Sequence, residues 1–307
     1  VTAILTTNNK GTTWINRTVP TISDQGYNSV FTRNQAWYDL IATYDPTTEN
    51  IFIGGIDALR STDNGATWTQ ISIWSLYDIN YGFNYTQYVH ADHHEIIFLP
   101  NHSNAAVIGT DGGIFYSANI NANQPVFESK NSGYNVTQFY ATAVHPTSAT
   151  NYFLAGAQDN GTQKFEQAGV NQTSQASGGD GAFCHIDEDN PSIQISSYVY
   201  NNYYVSTDGG GNFSYIGNAS GGWFINPTDY DSESNILYAA NEYNNLFRVI
   251  EVGTNNTKGS VNVDLSGGKI SAITVDPMTA NRIWVSSYGN STGNLGIVRI
   301  DNAHTSN

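Results

Sequence analysis

The feature that most constrains the fold of this chain is a turn that recurs along it. In each copy a Pro or an Asp stands among Asn, Ser and Thr residues, and an apolar segment follows. Because Pro fixes one φ angle and Asn or Asp tolerates the left-handed region, each copy predicts a hairpin loop. The copies begin at residues 44, 99, 145, 187, 230 and 276, with the sequences YDPTTEN, LPNHSN, HPTSATN, DEDNPS, YDSESN and DPMTAN.

Short segments of β-branched and aromatic residues follow these turns, whereas helical periodicity is almost absent. Examples are NIFIGG, AAVIGT, NYFLAG, NILYAA and RIWVSS. The turns recur about every 40 to 55 residues, which is the period of four-stranded propeller blades. We therefore predict a single all-β domain over residues 1–307, a seven-bladed β-propeller with four-stranded antiparallel blades. A six-bladed or incomplete ring is the alternative.

Charge and composition exclude some classes of function. Lys and Arg number 11 against 26 Asp and Glu in 307 residues, so the net charge of -15 repels phosphate backbones and argues against nucleic acid as a partner. The single Cys184 predicts a buried thiol. No apolar run is long enough for a membrane helix. The chain begins at Val1, and its acidic, Asn- and Thr-rich composition favours a secreted or cell-surface protein, processed or excised from a longer chain.

Three eight-residue stretches share one layout: TNNKGTTW at 7–14, STDNGATW at 61–68 and STDGGGNF at 206–213. Each has a hydroxyl residue, an Asp or Asn two positions on, a Gly two further and an aromatic residue at the end. Such a stretch predicts a hairpin in which the carboxylate or amide accepts backbone N–H groups, the Gly takes positive φ and the ring packs on the core. The predicted structural residues are Asn9, Gly11, Trp14, Asp63, Gly65, Trp68, Asp208, Gly210 and Phe213.

This layout resembles the Asp-box, or BNR repeat, of sialidase-like, xyloglucanase-type and sortilin-type propellers. The segments HADHHEIIFLP, GTDGGIFYS, GAQDNGT and GGDGAFCHID, taken in that order, also resemble secreted BNR-repeat proteins of the Bacteroidetes type that are labelled glycosyl-hydrolase-like. The resemblance covers roughly residues 30 to 300 and implies a propeller of that group. The resemblance is specific for the fold and much less specific for an activity.

The densest polar cluster is HADHHE at 90–95. On a strand, alternate residues share a face, so Asp92 and His94 are expected on one side and His93 and Glu95 on the other. We predict His90, Asp92 and His94 as ligand-binding residues. Histidine and carboxylate ligands also suit a transition metal, for which His93, Glu95 and Asp111 are candidates. The alternative is that these side chains only satisfy backbone groups between blades.

Acidic side chains supply the candidates for catalysis and for calcium. Hydrolysis of a glycoside needs two carboxylates about 5 to 10 Å apart, and the candidates are Asp92, Asp111, Asp159 and Asp180. The Asp-Gly turns at Asp111, Asp159, Asp180 and Asp208 also suit calcium, although no twelve-residue calcium loop is present and no cofactor is firmly indicated. A sialidase needs several arginines, and Arg33 is the single plausible inner-strand candidate.

Aromatic residues form 13% of the chain. In the segment 75–88 they alternate with Asn, and Tyr81, Tyr85 and Tyr88 are predicted to contact a ligand, because exposed rings beside amides suit sugars or proteins. A purely structural role for these β-forming residues is the alternative. We predict an extracellular propeller that recognises a glycan or a surface protein. The alternatives are a glycoside hydrolase and a subunit of a surface assembly whose incomplete blade is finished by a neighbour.

Overall fold

Short antiparallel strands joined by tight turns make up almost all of the regular structure. The computed structural model describes every residue except 2, 103, 135, 219–220, 242–244, 264, 266–267, 290–295 and 306–307. The chain divides into two units, Val1–Asn135 and Val136–Asn307, and the single domain stays a prediction. The helices among the described residues are two short 3₁₀ turns, and neither has the length or apolar composition to cross a membrane.

The first unit contains two hairpins and two four-stranded sheets among its described residues. The hairpins are β1 (Ile4–Thr6) with β2 (Ile15–Arg17) and β3 (Thr21–Asp24) with β4 (Tyr27–Val30). The four-stranded sheets follow chain order: β5 (Ile41–Tyr44), β6 (Ile51–Gly54), β7 (Ala58–Ser61) and β8 (Thr69–Gln70), then β9 (His93–Phe98), β10 (Ala106–Thr110), β11 (Gly113–Ser117) and β12 (Glu128–Ser129). Between the two sheets lie the 3₁₀ helices Leu76–Tyr81 and Tyr85–Gln87.

The second unit contains three four-stranded sheets and one three-stranded sheet among its described residues. The strands, again in chain order within each sheet, are β13 (Ala141–Val144), β14 (Phe153–Ala157), β15 (Gly161–Phe165), β16 (Ser174–Ser177); β17 (Cys184–Ile186), β18 (Gln194–Tyr198), β19 (Asn202–Ser206), β20 (Ser214–Asn218); β21 (Thr228–Asp231), β22 (Ile236–Ala240), β23 (Asn245–Ile250), β24 (Thr257–Asn262); and β25 (Lys269–Val275), β26 (Ile283–Tyr288), β27 (Gly296–Ile300).

Each of the six recurring turns joins the first strand of a sheet to the second, for example β5 to β6 and β21 to β22. Among the second strands of these sheets, β6, β14 and β18 are buried at all but one position, and β22 is buried at every position. A strand can be buried on both faces only if side chains cover it from both sides. Successive sheets therefore stack face to face within each unit.

Apolar layers fill the spaces between successive sheets. In the first unit, Phe52 and Ala58 of one sheet pack with Ile96 and Ile108 of the next. In the second unit, the cluster that contains Ile195, Tyr203, Leu237 and Phe247 joins two sheets, and further clusters join the others. The predicted fold class is confirmed: the chain is an all-β propeller built mostly of four-stranded antiparallel sheets. The number of blades stays a prediction. Cys184 is buried in one of these layers, as predicted.

The three eight-residue stretches form one and the same turn. In the second copy, the Ser61 hydroxyl donates to Asp63 Oδ1 (2.8 Å) and accepts the Gly65 N–H (2.7 Å). The Asp63 carboxylate also accepts the backbone N–H and the hydroxyl of Thr67. Equivalent bonds hold Asn9 and Asp208 in the other copies. Gly11, Gly65 and Gly210 all take positive φ.

The aromatic residue that ends each stretch does not behave alike in the three copies. Trp68 and Phe213 pack against apolar clusters, as expected. Trp14 is 58% exposed and departs from the predicted packing. It follows a turn between β1 and β2, a hairpin with no further strand among the described residues.

Candidate functional site

Three carboxylates from separate segments of the first unit lie together, and we call Asp39, Asp92 and Asp111 the carboxylate cluster. Asp39 ends the loop between β4 and β5, Asp92 directly precedes β9, and Asp111 occupies the hairpin between β10 and β11. Carboxylate oxygens of Asp92 and Asp111 lie within 4.8 Å of each other. Asp92 and Asp111 were predicted as site residues from the sequence, whereas Asp39 was not.

Consecutive backbone turns shape the loop that carries Asp39. The Gln35 N–H donates to the Thr32 carbonyl, and the Asp39 N–H donates to the Gln35 carbonyl. This arrangement points the Gln35 side chain at the cluster. Its Nε2 donates to Asp92 Oδ1 at 2.9 Å and lies 3.5 Å from Asp39 Oδ2. One amide therefore links two of the three carboxylates.

The electrostatics of the cluster differ from those of surface acids. Burial, followed by the negative charge of Asp92, raises the pKa of Asp39 to about 7. Burial, followed by the charge of Asp111, also raises the pKa of Asp92. Like charges held close together in a poorly solvated place disfavour full ionisation. At neutral pH, Asp39 and Asp92 together therefore carry fewer than two negative charges.

A bulge places the residues of the HADHHE segment. Along β9, His93 pairs with Thr110 and Glu95 with Gly109, so His94 is the extra residue of a register shift. A bulge changes where side chains point. His93 is buried, whereas His94 and Glu95 are both exposed. The strict alternation expected from the sequence is therefore broken between His93 and Glu95.

Asp92 and His94 nevertheless meet at the cluster, as expected for two residues on the same side. Asp92 takes a left-handed conformation (φ 63°), which turns the chain into β9. The His94 Nε2 contacts Asp111 Oδ1, and the Tyr38 hydroxyl donates to the same carboxylate at 2.9 to 3.0 Å. Asp111 is thus fixed by an imidazole and a phenol.

Two exposed rings adjoin the cluster, and we call Trp37 and Tyr38 the aromatic platform. Trp37 is 84% exposed, and its ring centroid lies 5.7 Å from that of Tyr38. Tyr38 in turn stands edge-on to His94. Four residues of the site were not predicted from the sequence: Gln35, Trp37, Tyr38 and Asp39. The signal available was the stretch NQAWYDL, which carries aromatic and polar residues without the alternation of a strand.

The predicted tyrosines of the segment 75–88 differ from one another in their exposure and in their packing contacts. Tyr81 is 51% exposed and pairs with Tyr77 on the first 3₁₀ helix, and Tyr85 is 72% exposed on the second. Tyr88 is half-buried and stands edge-on to Phe115 within an apolar cluster. Its ring therefore packs on the core.

His90 and His93 have structural surroundings. The His90 ring lies against Gly112, where a Cβ atom would collide with it. His93 is fully buried, and burial lowers its pKa to about 3. It stands beside Gly54, away from solvent, and it is absent from the carboxylate cluster. Glu95 is exposed, and among the described residues it makes no hydrogen bond or ion pair with the carboxylate cluster.

In the second unit, Asp159 and Asp180 lie in adjoining turns. Asp180 Oδ1 accepts the backbone N–H of Asp159 at 3.0 Å, and Asp159 takes a left-handed φ of 62°. Asp208 is held by Ser206 and Asn212 in its turn. These bonds are the ordinary uses of an aspartate in a turn.

Arg33 is engaged elsewhere in the first unit. It makes a two-point contact with the Asp24 carboxylate, which also accepts the Trp74 N–H. Its guanidinium lies 5.2 Å from the Trp74 ring centroid. A guanidinium occupied in this way is already paired with one carboxylate, so it does not serve as a clamp for an acidic sugar.

No protein-family model and no curated protein matches the chain. Among solved structures, the chain is similar to the GH74 enzyme of Niastella koreensis, with 17% identity over 97% of this chain and 49% of that one and a TM-score of 0.41. It is also similar to an ancestral GH74 enzyme (17% identity, 92% and 40% coverage, TM-score 0.39). A third is YCF48 from Cyanidioschyzon merolae (14% identity, 70% and 69% coverage, TM-score 0.42). The chain spans less than half the length of the two GH74 structures.

Proposed function

We propose that this protein is an extracellular β-propeller module of the Asp-box type that binds a neutral glycan at the aromatic platform. The observation that carries the proposal is the position of Trp37, an almost fully exposed ring beside Tyr38, whose hydroxyl is bonded to Asp111. The apolar face of a sugar ring stacks on an indole, and its hydroxyl groups donate to nearby carboxylates.

The charge of the site selects among glycans. The cluster supplies acceptors and negative charge, and Arg33 is already paired with Asp24. An acidic sugar would therefore be repelled and would find no guanidinium partner there. A neutral polysaccharide meets neither obstacle.

Affinity gel electrophoresis in soluble neutral polysaccharides tests this proposal. We expect xyloglucan or a mixed-linkage β-glucan to retard the protein, and Trp37→Ala to weaken the binding about tenfold or more, because an aromatic anchor is worth about 1.4 kcal/mol or more. Trp14→Ala is the matched control, since it also removes an exposed indole from the first unit. Equal losses in both variants, or no retardation by any neutral polysaccharide, would contradict the proposal.

A second candidate is hydrolysis of the bound glycan. The specific observation is that oxygens of Asp92 and Asp111 lie within 4.8 Å, close to the separation of about 5 to 5.5 Å between the carboxyl groups of retaining glycosidases. The raised pKa of Asp92 suits a proton donor. Release of reducing ends from the same polysaccharides, abolished in Asp92→Asn and Asp111→Asn, would establish this activity. Binding without release favours the noncatalytic module.

A further inference from the structure

We infer that the carboxylate cluster is a binding site for one divalent cation of the calcium type. Carboxylate oxygens of Asp92 and Asp111 lie within 4.8 Å of each other, and Asp39 contacts Asp92 from a third segment of the first unit. The inference concerns the cation alone and goes beyond the proposed function, since it needs no glycan.

The distance between the carboxylate oxygens of Asp92 and Asp111 suits a shared calcium ion. Calcium binds carboxylate oxygens at about 2.3 to 2.6 Å. Two oxygens that share one such ion can be at most about 5 Å apart, and those of Asp92 and Asp111 meet this limit at 4.8 Å or less. Both carboxylates come from turns, which tolerate the irregular coordination that calcium accepts.

A buried carboxylate oxygen of Asp39, next to Asp92, has no hydrogen-bond donor among the described residues. Asp39 is fully buried, and its Oδ1 receives no N–H or O–H donor from the residues that the structure describes. Its carboxyl group contacts Asp92, and Gln35 Nε2 lies near both. Burial of a polar atom without a partner is costly, and a cation would satisfy this one.

The cluster also lacks compensating positive charge within the described part of the chain. Among the described ion pairs, no Lys or Arg contacts any member of the cluster, and Arg33 is bound to Asp24. His94 contacts Asp111 and is charged only when it is protonated. Carboxylates without a paired Lys or Arg repel one another, and a divalent cation would remove this repulsion.

The oxygen-rich ligand set decides the type of cation. Carboxylate and amide oxygens suit calcium, whereas zinc prefers sulfur and imidazole nitrogen. Of the residues first considered for a transition metal, His93 is buried apart from the cluster. The imidazole that does reach the cluster, that of His94, already bonds to Asp111. Magnesium demands a more regular octahedron than these turns offer.

Calcium chloride alone is the probe. After treatment with EDTA and its removal, the protein is titrated with calcium by isothermal calorimetry, and its thermal midpoint is recorded with and without calcium. We expect a dissociation constant of about 0.1 to 1 mM, as in extracellular calcium modules, and an upward shift of the midpoint. Magnesium should bind at least tenfold more weakly.

Variants assign the site. Asp92→Asn and Asp39→Asn should each weaken calcium binding at least tenfold, and Asn accepts the left-handed φ of residue 92 without strain. Glu95→Gln removes a charge from β9, the strand that follows Asp92, outside the cluster, and should change binding less than twofold. Trp37→Ala should bind calcium normally, which separates this inference from glycan binding. Absence of calcium binding at 10 mM, or equal binding by Asp92→Asn, would overturn it.

A calcium ion at this place has a consequence for the second candidate function. Asp92 and Asp111 would then be neutralised as ligands, and neither would serve as a proton donor or nucleophile. Calcium binding at the cluster therefore favours the noncatalytic module. Glycan cleavage by a protein that binds no added calcium would reject the cation site while keeping glycan recognition.

Discussion

The surroundings of His185 predict how this one side chain makes the stability of the fold depend on pH. It lies on β17 with its side chain 15% exposed. One ring nitrogen contacts the Thr228 hydroxyl at 2.9 Å, and the other lies 4.0 Å from Asp229. Burial lowers its pKa to about 4, and the Asp229 charge opposes this only in part.

The sign of the resulting pH dependence follows from linkage. In the unfolded chain, His185 binds a proton near its ordinary pKa of about 6.5. In the folded protein, it binds a proton only near pH 4. His185 therefore destabilises the fold as the pH falls from about 6.5 to about 4, by on the order of 3 kcal/mol in total.

Urea unfolding of the wild type and of His185→Gln at pH 6.5 and pH 4.5 measures this effect. The wild type should lose more stability than the variant over this interval, because Gln does not titrate. His102→Gln, which replaces an exposed histidine, serves as the control and should follow the wild type. A parallel decline in the wild type and in His185→Gln would refute the prediction.

Individual site residues could be predicted only in part, for a physical reason. Asp92 was predicted because it lies in the dense polar segment HADHHE, and Asp111 because it lies in an Asp-Gly turn. Asp39 and Gln35 lie far from them in sequence, and their contact depends on the loop between β4 and β5, whose turns no periodicity announces. The bulge at His94 likewise depends on pairing with β10, so the alternation rule failed at that position.

At the scale of one element, the turn between β19 and β20 offers a matched pair of glycines. Gly209 and Gly210 both take positive φ, 75° and 86°. A Cβ on Gly209 would meet nothing within 4 Å, whereas a Cβ on Gly210 would collide with the Tyr152 hydroxyl and Gln194 Oε1. These two groups are hydrogen-bonded at 2.6 Å.

We therefore expect Gly209→Ala to cost about 1 kcal/mol of unfolding free energy, from backbone strain alone. Gly210→Ala should cost about 2 to 3 kcal/mol, because it also displaces the Tyr152 and Gln194 pair. Chemical denaturation of both variants measures these two losses of unfolding free energy. A larger loss in Gly209→Ala than in Gly210→Ala would show that packing around the turn is not limiting.

Elements of this kind were the most predictable part of the molecule. The six hairpin turns depend on Pro, Asn and Asp within a few residues, and the eight-residue turns depend on hydrogen bonds within their own span. Local chemistry fixes such structures, so the sequence displays them directly. The 3₁₀ helices at Leu76–Tyr81 and Tyr85–Gln87 were not predicted, since they are too short to show periodicity.

At the scale of the whole molecule, the repeat of four-stranded sheets was predictable because each sheet must cover its neighbour. β22, which is buried on both faces, is apolar throughout, and largely apolar second strands also follow the turns at β6 and β14. The number of blades and their closure depend on how the sheet ends meet, which the repeat does not determine. The hairpins β1 with β2 and β3 with β4 have two strands each among the described residues, and the assembly of this protein with other chains stays a prediction.

The net charge of -15 predicts how glycan binding responds to salt. An uncharged polysaccharide experiences no long-range attraction or repulsion from this charge. Salt screens interactions between charges over about 10 Å at 0.1 M, so raising sodium chloride from 20 to 500 mM should change the affinity for a neutral glycan less than about twofold. A polyanion such as polygalacturonate should stay unbound at low salt, where repulsion is strongest.

Binding that weakens steeply as salt is added would instead identify a cationic ligand, because salt weakens the attraction between opposite charges. Affinity electrophoresis at the two salt concentrations therefore tests whether the ring faces at Trp37 and Tyr38, or the carboxylates beside them, dominate recognition.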